Sequence, residues 1–237
     1  MIPLRDANPT RRTPIVTLAL IAACFIAFAY ELGVLASSGE TGLDRFFTQY
    51  GLVPADLTRS VSSGQWLSAP VLALLTHQFL HGGWLHLLGN MLFLWIFGNN
   101  IEDRLGRVVF LCFYLLGGVV AGLTQVAIAR DSTDPLIGAS GAIAATLGAY
   151  LVLFPRARIL SLVFLGFFYQ LIEVPAILVL GFWFVLQLID GVASLGATNA
   201  QGGVAFFAHI GGFVAGALVG IALRTRGPGP LSPARVG

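Results

Sequence analysis

The sequence predicts an all-α, polytopic membrane protein with six spanning helices and a long first outer loop that associates with the membrane. Of its 237 residues, 57% are hydrophobic and only 10% are charged. A soluble domain of this size must cover its surface with polar groups, and this chain has too few of them. Apolar windows of about 20 residues recur along the chain. The solvent for most of its surface is therefore predicted to be the lipid bilayer.

Apolar windows long enough to cross a bilayer define a core over residues 13–224. A lipid-exposed segment must satisfy its own backbone hydrogen bonds, so each window is predicted to be a helix. The six windows are 14–35, 83–101, 108–129, 137–154, 173–190 and 205–223. Residues 1–12 and 225–237 are predicted to be cytoplasmic tails. The arginine-containing N-terminus also fits a secretory signal, but the apolar run after it is long enough to span, which favours an uncleaved first helix.

The arginine distribution orients these helices. The chain has arginines but no lysine. With the N-terminus in the cytoplasm, only Arg45, Arg59 and Arg130 lie on outer connections, and all other arginines lie on the cytoplasmic side. Cytoplasmic connections of membrane proteins carry this excess of positive charge. Segment 159–172, "ILSLVFLGFFYQLI", is too short to span, and counting it as a crossing would move the C-terminal arginines outside. We therefore predict an interfacial or re-entrant lead-in to the fifth helix.

Two outer connections differ in character. The first, at about residues 36–80, is long and largely apolar, which favours a segment that dips into the membrane face. The last, residues 191–204, consists mostly of small residues. A mobile lid and an ordinary slack connector fit that composition equally well.

Several polar and sulfur-containing residues carry weaker signals. Cys24 and Cys112 lie inside apolar stretches, where small hydrophobic filler is the favoured interpretation. His77 and His81 are four residues apart and have a spacing that suits a metal ion, but no carboxylate or thiol joins them, so structural hydrogen bonding is favoured. A net charge of +2 predicts no nucleic-acid partner.

Four polar residues on three predicted helices converge at one depth. His86 and Asn90 are four apart near the outer end of the second helix, hence on one face. Ser140 lies near the outer start of the fourth helix and His209 near that of the sixth, each about 5–8 Å below it by the helical rise. Polar side chains inside a membrane are costly, and therefore indicate a functional site.

Serine and histidine together form a nucleophile and its general base. A serine at a helix N-terminus also has free backbone N–H groups that can stabilise an oxyanion, and His86 and Asn90 add side-chain donors. Glu102, Glu173 and Asp190 map to helix ends away from this level, so a dyad rather than a triad is predicted. The spacing of Gly212, Gly216 and Gly220 predicts close packing of the sixth helix on the fourth. Taken alone, Ser140 is better explained by packing or by a weak hydrogen bond between helices, and its conjunction with His209, His86 and Asn90 favours a functional site.

These residues resemble the rhomboid family of intramembrane serine proteases over nearly the whole core. "GASG" is similar to the family's G-x-S-G and "AHIGG" to its A-H-x-x-G, which implies Ser140 as nucleophile and His209 as base. "HGGWLHLLGN" is similar to the H-x-x-x-N motif, which implies that His86, Asn90, Gly138 and the Ser140 N–H stabilise the oxyanion. The residues to which the resemblance assigns structural support are Gly141, Gly212, Gly216, Glu102 and Arg104, the last two as anchors of the first loop.

The sequence departs from the family pattern at two places. The Trp-Arg pair of the first loop is Trp66-Leu67 here. The aromatic residue that often follows the nucleophile by four positions and packs on the catalytic histidine is Ala144. The anchoring of the loop and the support of His209 are therefore expected to differ.

The resemblance implies peptide-bond hydrolysis within or beside the transmembrane helix of a single-span substrate, in a bacterial plasma membrane, from a site open to the outer face. It implies no cofactor and no metal. Substrate entry between the second and fifth helices is part of the same expectation. The main alternative is a non-cleaving relative that binds membrane helices; a transporter or a metal-binding membrane protein is less consistent with a chain that has no charge at the depth of these residues.

Overall fold

The computed structural model describes residues 2–165, 168–194 and 205–225, without the side chains of 164 and 165. The chain is mostly helical. Its helices are α1 Ile15–Tyr50, α2 Pro54–Ser62, α3 Ala69–Thr76, α4 Trp84–Phe93, α5 Asn99–Leu105, α6 Arg107–Ile128, α7 Ser140–Leu153, α8 Ala176–Ser194 and α9 Phe206–Thr225. A π-helical turn, Leu94–Gly98, joins α4 to α5. The predicted lid at 191–204 and the C-terminal tail lie mostly outside the described residues.

Each of the six predicted windows contains a helix, but they differ in length. Within the described ranges, α1, α6, α8 and α9 are each long and apolar enough to span, and Ala69–Phe79 with Trp84–Leu105 forms a fifth candidate bent by 78°. Helix α7 has only 14 residues. A helical membrane bundle is thus confirmed, whereas the exact count of six crossings stays a prediction.

The first helix extends well past its predicted end at residue 35. It continues to Tyr50 through a kink at Gly39, where the backbone adopts φ 66° and ψ −170°. That positive φ is accessible to glycine at little cost. The remainder of the first outer connection folds into α2, α3 and a 3₁₀ turn, His77–Phe79.

The first outer loop is held by contacts other than the Trp-Leu pair. A β-bridge joins Leu52 to Leu136, and the Thr76 hydroxyl donates to the Tyr50 carbonyl at 2.6 Å. Trp66 and Leu67 are 63% and 93% exposed. The β-bridge at Leu52 and the hydrogen bond from Thr76 therefore position the loop, and Trp66-Leu67 makes little packing contribution.

A three-stranded antiparallel sheet, in the order β1-β2-β3, departs from the all-α prediction. Its strands are β1 Ile2–Asp6, β2 Arg158–Leu165 and β3 Phe168–Pro175. The segment expected to lead into the fifth helix contains the antiparallel pair β2 and β3, and that helix begins at Ala176 rather than at 173. Its β-branched and aromatic residues favour strands, and the N-terminal residues supply the third strand.

The N-terminal segment is therefore tied to the helices rather than trailing from them. The Asp6 carboxylate accepts hydrogen bonds from the Tyr150 hydroxyl at 2.7 Å and the Asn100 amide at 2.6 Å. Burial raises the pKa of Asp6 above its ordinary value, and the hydrogen bonds from Tyr150 and Asn100 partly oppose that shift. Both partners lie on core elements, so strand β1 is held against the bundle.

Helix α7 is the central element of the bundle. Every residue from 141 to 150 is buried, and its pairing with α9 is the most extensive between helices. A 14-residue helix is about 21 Å long, whereas the hydrocarbon core is about 30 Å thick. The charged Arg156 and Arg158 follow its C-terminus closely, so we expect the Ser140 end to be the one recessed below the membrane surface.

Glycines bring the backbones of α7 and α9 together. A Cβ added at Gly212 would collide with the Gly141 carbonyl oxygen, and one at Gly216 with the Ala145 carbonyl oxygen. From the other side, Gly148 lies against the Phe213 carbonyl. Membrane helices associate closely at such small-residue surfaces because no side chain separates them.

Candidate active site

The Ser140 hydroxyl lies 2.7 Å from His209 Nε2. Ser140 is the first residue of α7 and His209 the fourth of α9, so the close pairing of these helices sets the distance. His209 is 9% exposed. Ser140 begins α7, whereas the sequence predicted a position about one turn inside that helix. A neutral imidazole at this distance can accept the serine proton.

Helix α8 holds the other side of the His209 ring. Nδ1 lies 2.6 Å from the Gln187 amide oxygen, and the Trp183 ring centroid is 5.9 Å from that of His209, with 38° between the planes. Ala144 on α7 is fully buried and too small to support the ring. Sequence reasoning missed Gln187 and Trp183, although a lone glutamine in an apolar window four residues after a tryptophan is a usable signal.

The N-terminus of α7 places backbone donors beside Ser140. Its first internal hydrogen bond runs from the Ile143 N–H to the Ala139 carbonyl. The N–H groups of Ser140 and Gly141 precede that bond and have no partner within the helix. The helix dipole adds positive potential at the same end. An oxyanion beside Ser140 would be stabilised by both effects.

His86 and Asn90 approach the same space from α4. The position that a Cβ would occupy on Gly138 lies 2.7 Å from His86 Nε2 and 3.6 Å from the Ser140 hydroxyl oxygen. Asn90 is 8% exposed, and its buried side-chain nitrogen has no hydrogen-bond partner among the residues that the structure describes. An unpaired buried donor is costly, and an incoming oxygen atom would offset that cost.

The backbone N–H of Gly138 is not available for the role of oxyanion donor that the sequence predicted. Its N–H already donates to the His77 carbonyl at 2.9 Å, so this amide is engaged. Its φ of 126° and the proximity of His86 both require the absence of a side chain. Gly138 therefore makes room for His86 next to Ser140.

These groups line a cavity of about 960 Å³. One wall comes from α4 through His86 and Asn90, and another from α8 and α9 through Trp183, Phe207 and His209. The cavity is large enough for several residues of an unwound peptide, and its lining combines apolar walls with a few polar groups, as in many ligand sites.

The other histidines make structural hydrogen bonds. His77 Nδ1 contacts the Ala73 carbonyl at 2.7 Å, and His81 Nδ1 contacts the Phe79 carbonyl at 3.1 Å. The backbone N–H of His81 donates to the Glu31 carboxylate at 3.1 Å. Within residues 2–165, 168–194 and 205–225, no group of three potential ligands is arranged for a metal ion.

Glu102 anchors the first helix instead of the first loop. Its carboxylate accepts hydrogen bonds from the Val16 N–H at 3.0 Å, the Thr17 N–H at 2.7 Å and the Thr17 hydroxyl at 2.8 Å. These amides begin α1 and have no partners within the helix, so the carboxylate caps it from a distant part of the chain. Arg104 lies on the same short helix, α5.

Comparison with known proteins gives a consistent set of similarities. The family model of the Rhomboid domain matches residues 68–226. The chain is 31% identical to Rhomboid protein 1, mitochondrial, of Saccharomyces cerevisiae over 74% of its length and 46% of the relative's. It is 34% identical to Rhomboid protease GluP of Bacillus subtilis over 68% of its length and 27% of the relative's. It therefore spans less than half the length of either relative.

Proposed function

The chain belongs to the rhomboid family of multi-pass membrane proteins, and from that premise we propose that it is a serine endopeptidase that cuts the transmembrane helices of single-span proteins. Ser140 is the nucleophile and His209 the general base and acid. The observation that carries the proposal is the 2.7 Å contact between the Ser140 hydroxyl and His209 Nε2. Two helices deliver these groups to one cavity, where the half-buried Ser140 and the buried His209 supply the nucleophile and the base for acyl transfer.

The first step is attack of the Ser140 oxygen on the substrate carbonyl carbon. The hydroxyl proton moves to His209 Nε2 as the new C–O bond forms, and the carbonyl π electrons move to its oxygen. The tetrahedral intermediate then collapses, the C–N bond breaks, and His209 gives its proton to the leaving amine. Ser140 is left as an ester of the N-terminal fragment.

The second half of the reaction regenerates the serine. A water molecule attacks the ester carbonyl while His209 takes one of its protons. The second tetrahedral intermediate expels the Ser140 oxygen, which recovers a proton from His209, and a carboxylic acid is released. This cycle balances without a cofactor or a metal ion.

The negative oxygen of each intermediate would lie among the donors around Ser140. These are the backbone N–H groups that open α7, the Asn90 side-chain amide and the His86 ring. The orphaned Asn90 nitrogen supports this assignment, because a donor left unpaired in the resting site gains a partner when the oxyanion forms.

The substrate class follows from the location of the cavity. A helical substrate hides its carbonyl groups in its own hydrogen bonds, so it must unwind locally before Ser140 can reach one. Small or helix-breaking residues near the cut would lower that cost. The cavity walls from α4 and from α8 support entry between these two helices. The arginine distribution supports an opening to the outer face of a bacterial plasma membrane, with cytoplasmic termini.

Incubation of the purified protein with a single-span reporter in proteoliposomes tests the proposal. We expect a discrete cut that Ser140→Ala and His209→Ala both abolish, and labelling of Ser140 by a serine-directed phosphonate that depends on His209. Undiminished cutting by either variant would overturn the assignment. Reporter binding without products or labelling would identify a non-cleaving relative.

The contribution of Asn90 can be measured in the same assay. Removing one oxyanion donor costs about 2.7–4 kcal/mol of transition-state stabilisation in a serine protease, equivalent to about 10²–10³ in kcat. We expect Asn90→Ala to lower kcat within that range with little change in KM. A rise in KM at constant kcat would instead assign Asn90 to substrate binding.

A further inference from the structure

The His209 ring has two nitrogens, and only one of them faces Ser140. Nε2 contacts the serine hydroxyl at 2.7 Å, while Nδ1 contacts the Gln187 amide oxygen at 2.6 Å. An amide oxygen only accepts hydrogen bonds, so Nδ1 must carry a proton for that contact to form. In a neutral ring, Nε2 is then the unprotonated nitrogen. That tautomer is the one a general base beside Ser140 requires.

From this geometry we propose that Gln187 is a positioning residue that holds His209 in its reactive tautomer and orientation. The proposal rests on the proposed function, since it assigns a role within the serine–histidine reaction. It replaces the predicted dyad with a three-residue chain, Gln187–His209–Ser140. Its third member is a neutral amide rather than a carboxylate.

The support comes from α8, because Trp183 and Gln187 lie on one face of this helix. They are four residues apart, a spacing that places side chains on the same face. Trp183 packs its ring 5.9 Å from that of His209, and Gln187 binds the ring edge. In the family pattern an aromatic residue four positions after the serine supports this histidine. The residue at that position, on α7, is Ala144 here. Helix α8 thus supplies both the packing and the polar contact that α7 lacks.

A neutral third member suits the location of the site. A buried carboxylate next to a partly desolvated imidazole requires compensation for its own charge. An amide oxygen fixes the tautomer without placing a net charge inside the bilayer. His86 of α4 is the titratable side chain that faces His209 from the opposite wall of the cavity, and no carboxylate among the described residues hydrogen-bonds to the ring.

Two substitutions at position 187 separate positioning from general packing. Gln187→Met keeps the length of the side chain and removes the acceptor, and we expect kcat and the phosphonate labelling rate to fall by about 10- to 100-fold with KM unchanged. Gln187→Glu keeps an acceptor and adds a charge. We expect it to retain activity and to shift the acidic limb of the pH–rate profile upwards by about 1–3 units, because an adjacent carboxylate favours the imidazolium. Leu188→Met, at an exposed neighbouring position, is the matched control and should leave both readouts unchanged.

Failure of this proposal is distinguishable from failure of the proposed function. If the wild-type protein cuts and Gln187→Met shows the same rate and pH profile as Leu188→Met, the positioning role is wrong while the protease assignment stands. Inactivity of Gln187→Glu at every pH would show that position 187 must donate to the ring rather than accept from it, which also overturns the proposal. The ¹⁵N resonances of His209 test the tautomer without catalysis. We expect a protonated Nδ1 in the wild type and a mixture of tautomers in Gln187→Met, and an unprotonated Nδ1 in the wild type would refute the inference even if no substrate were cut.

Discussion

Substitution of Gly212 by alanine tests whether helix contact sets the geometry of the proposed catalytic pair. Gly212 lies on α9, one turn after His209, and its Cα faces the Gly141 carbonyl next to Ser140. A Cβ at this point would overlap that oxygen. Because the obstacle is backbone, it cannot be relieved by rotating a side chain, so the two helices must separate.

The size of the effect follows from the contact distances. Restoring an ordinary contact of at least 3.4 Å requires a displacement of about 1 Å between α7 and α9. A 1 Å misplacement of reacting groups can lower a rate by about 100-fold, and overpacking a close interface costs typically 1–3 kcal/mol of stability. We therefore predict that Gly212→Ala loses about 100-fold in kcat and about 1–3 kcal/mol in the free energy of unfolding.

Cleavage of a single-span reporter and thermal unfolding in detergent micelles measure the two effects. Gly181→Ala is the matched control, because a Cβ at Gly181 on α8 meets nothing within 4 Å. That variant should be as stable as the wild type or slightly more so, since alanine favours helix over glycine by up to about 1 kcal/mol. Wild-type rate and stability in Gly212→Ala would refute the claim that close backbone contact sets the Ser140–His209 distance.

Three further predictions concern other elements. Gly138→Ala should slow phosphonate labelling of Ser140, because the added Cβ would lie 2.7 Å from His86 Nε2. The φ of 126° at this position adds a backbone strain of about 1–3 kcal/mol. An unchanged labelling rate would contradict this prediction. Glu102→Gln should lower the free energy of unfolding by about 1–3 kcal/mol, since one acceptor for the Val16 and Thr17 amides is lost, while cleavage by the folded protein at low temperature stays near the wild-type rate. Burial raises the pKa of Asp6 above its ordinary value of 3.8, so its contribution to stability is largest at low pH and is lost as pH rises through the folded-state pKa. Asp6→Asn should therefore flatten the fall in melting temperature as pH rises above 3.8, and an identical slope in both proteins would exclude the assignment.

The positions of the helices inside the six apolar windows were predictable because the bilayer imposes a local rule. A lipid-exposed segment must be apolar and internally hydrogen-bonded, so hydropathy alone identifies helical windows such as 108–129. The rule is weaker at the ends, since Gly39 turns the chain without ending α1. The rule does not apply where another segment supplies hydrogen bonds to the backbone, as in a β-sheet. Segment 159–172 is apolar but contains the antiparallel pair β2 and β3, because residues 2–6, distant in sequence, provide a third strand.

Among the site residues, the chemically distinctive ones were recognisable and the supporting ones were not. Ser140, His209, His86 and Asn90 stand out because polar side chains are rare and costly inside apolar windows. Gln187 has the same property, but its partner depends on the rotation of α8 relative to α9. The misassigned anchor, Glu102, was identified as structural from its motif, yet its partners at residues 16 and 17 are 85 or more positions away.

The sequence by itself therefore determined which long apolar segments form helices and which few polar side chains lie within them, because both depend on burial in lipid and on spacing along one helix. The tertiary structure alone decided that Ser140 and His209 lie within a hydrogen bond of each other, that Gln187 and Trp183 hold the imidazole from α8, and that Gly138 serves His86 by having no side chain. These relations depend on the depth, rotation and separation of different helices, which are set by where glycine backbones meet and are not encoded in any single window.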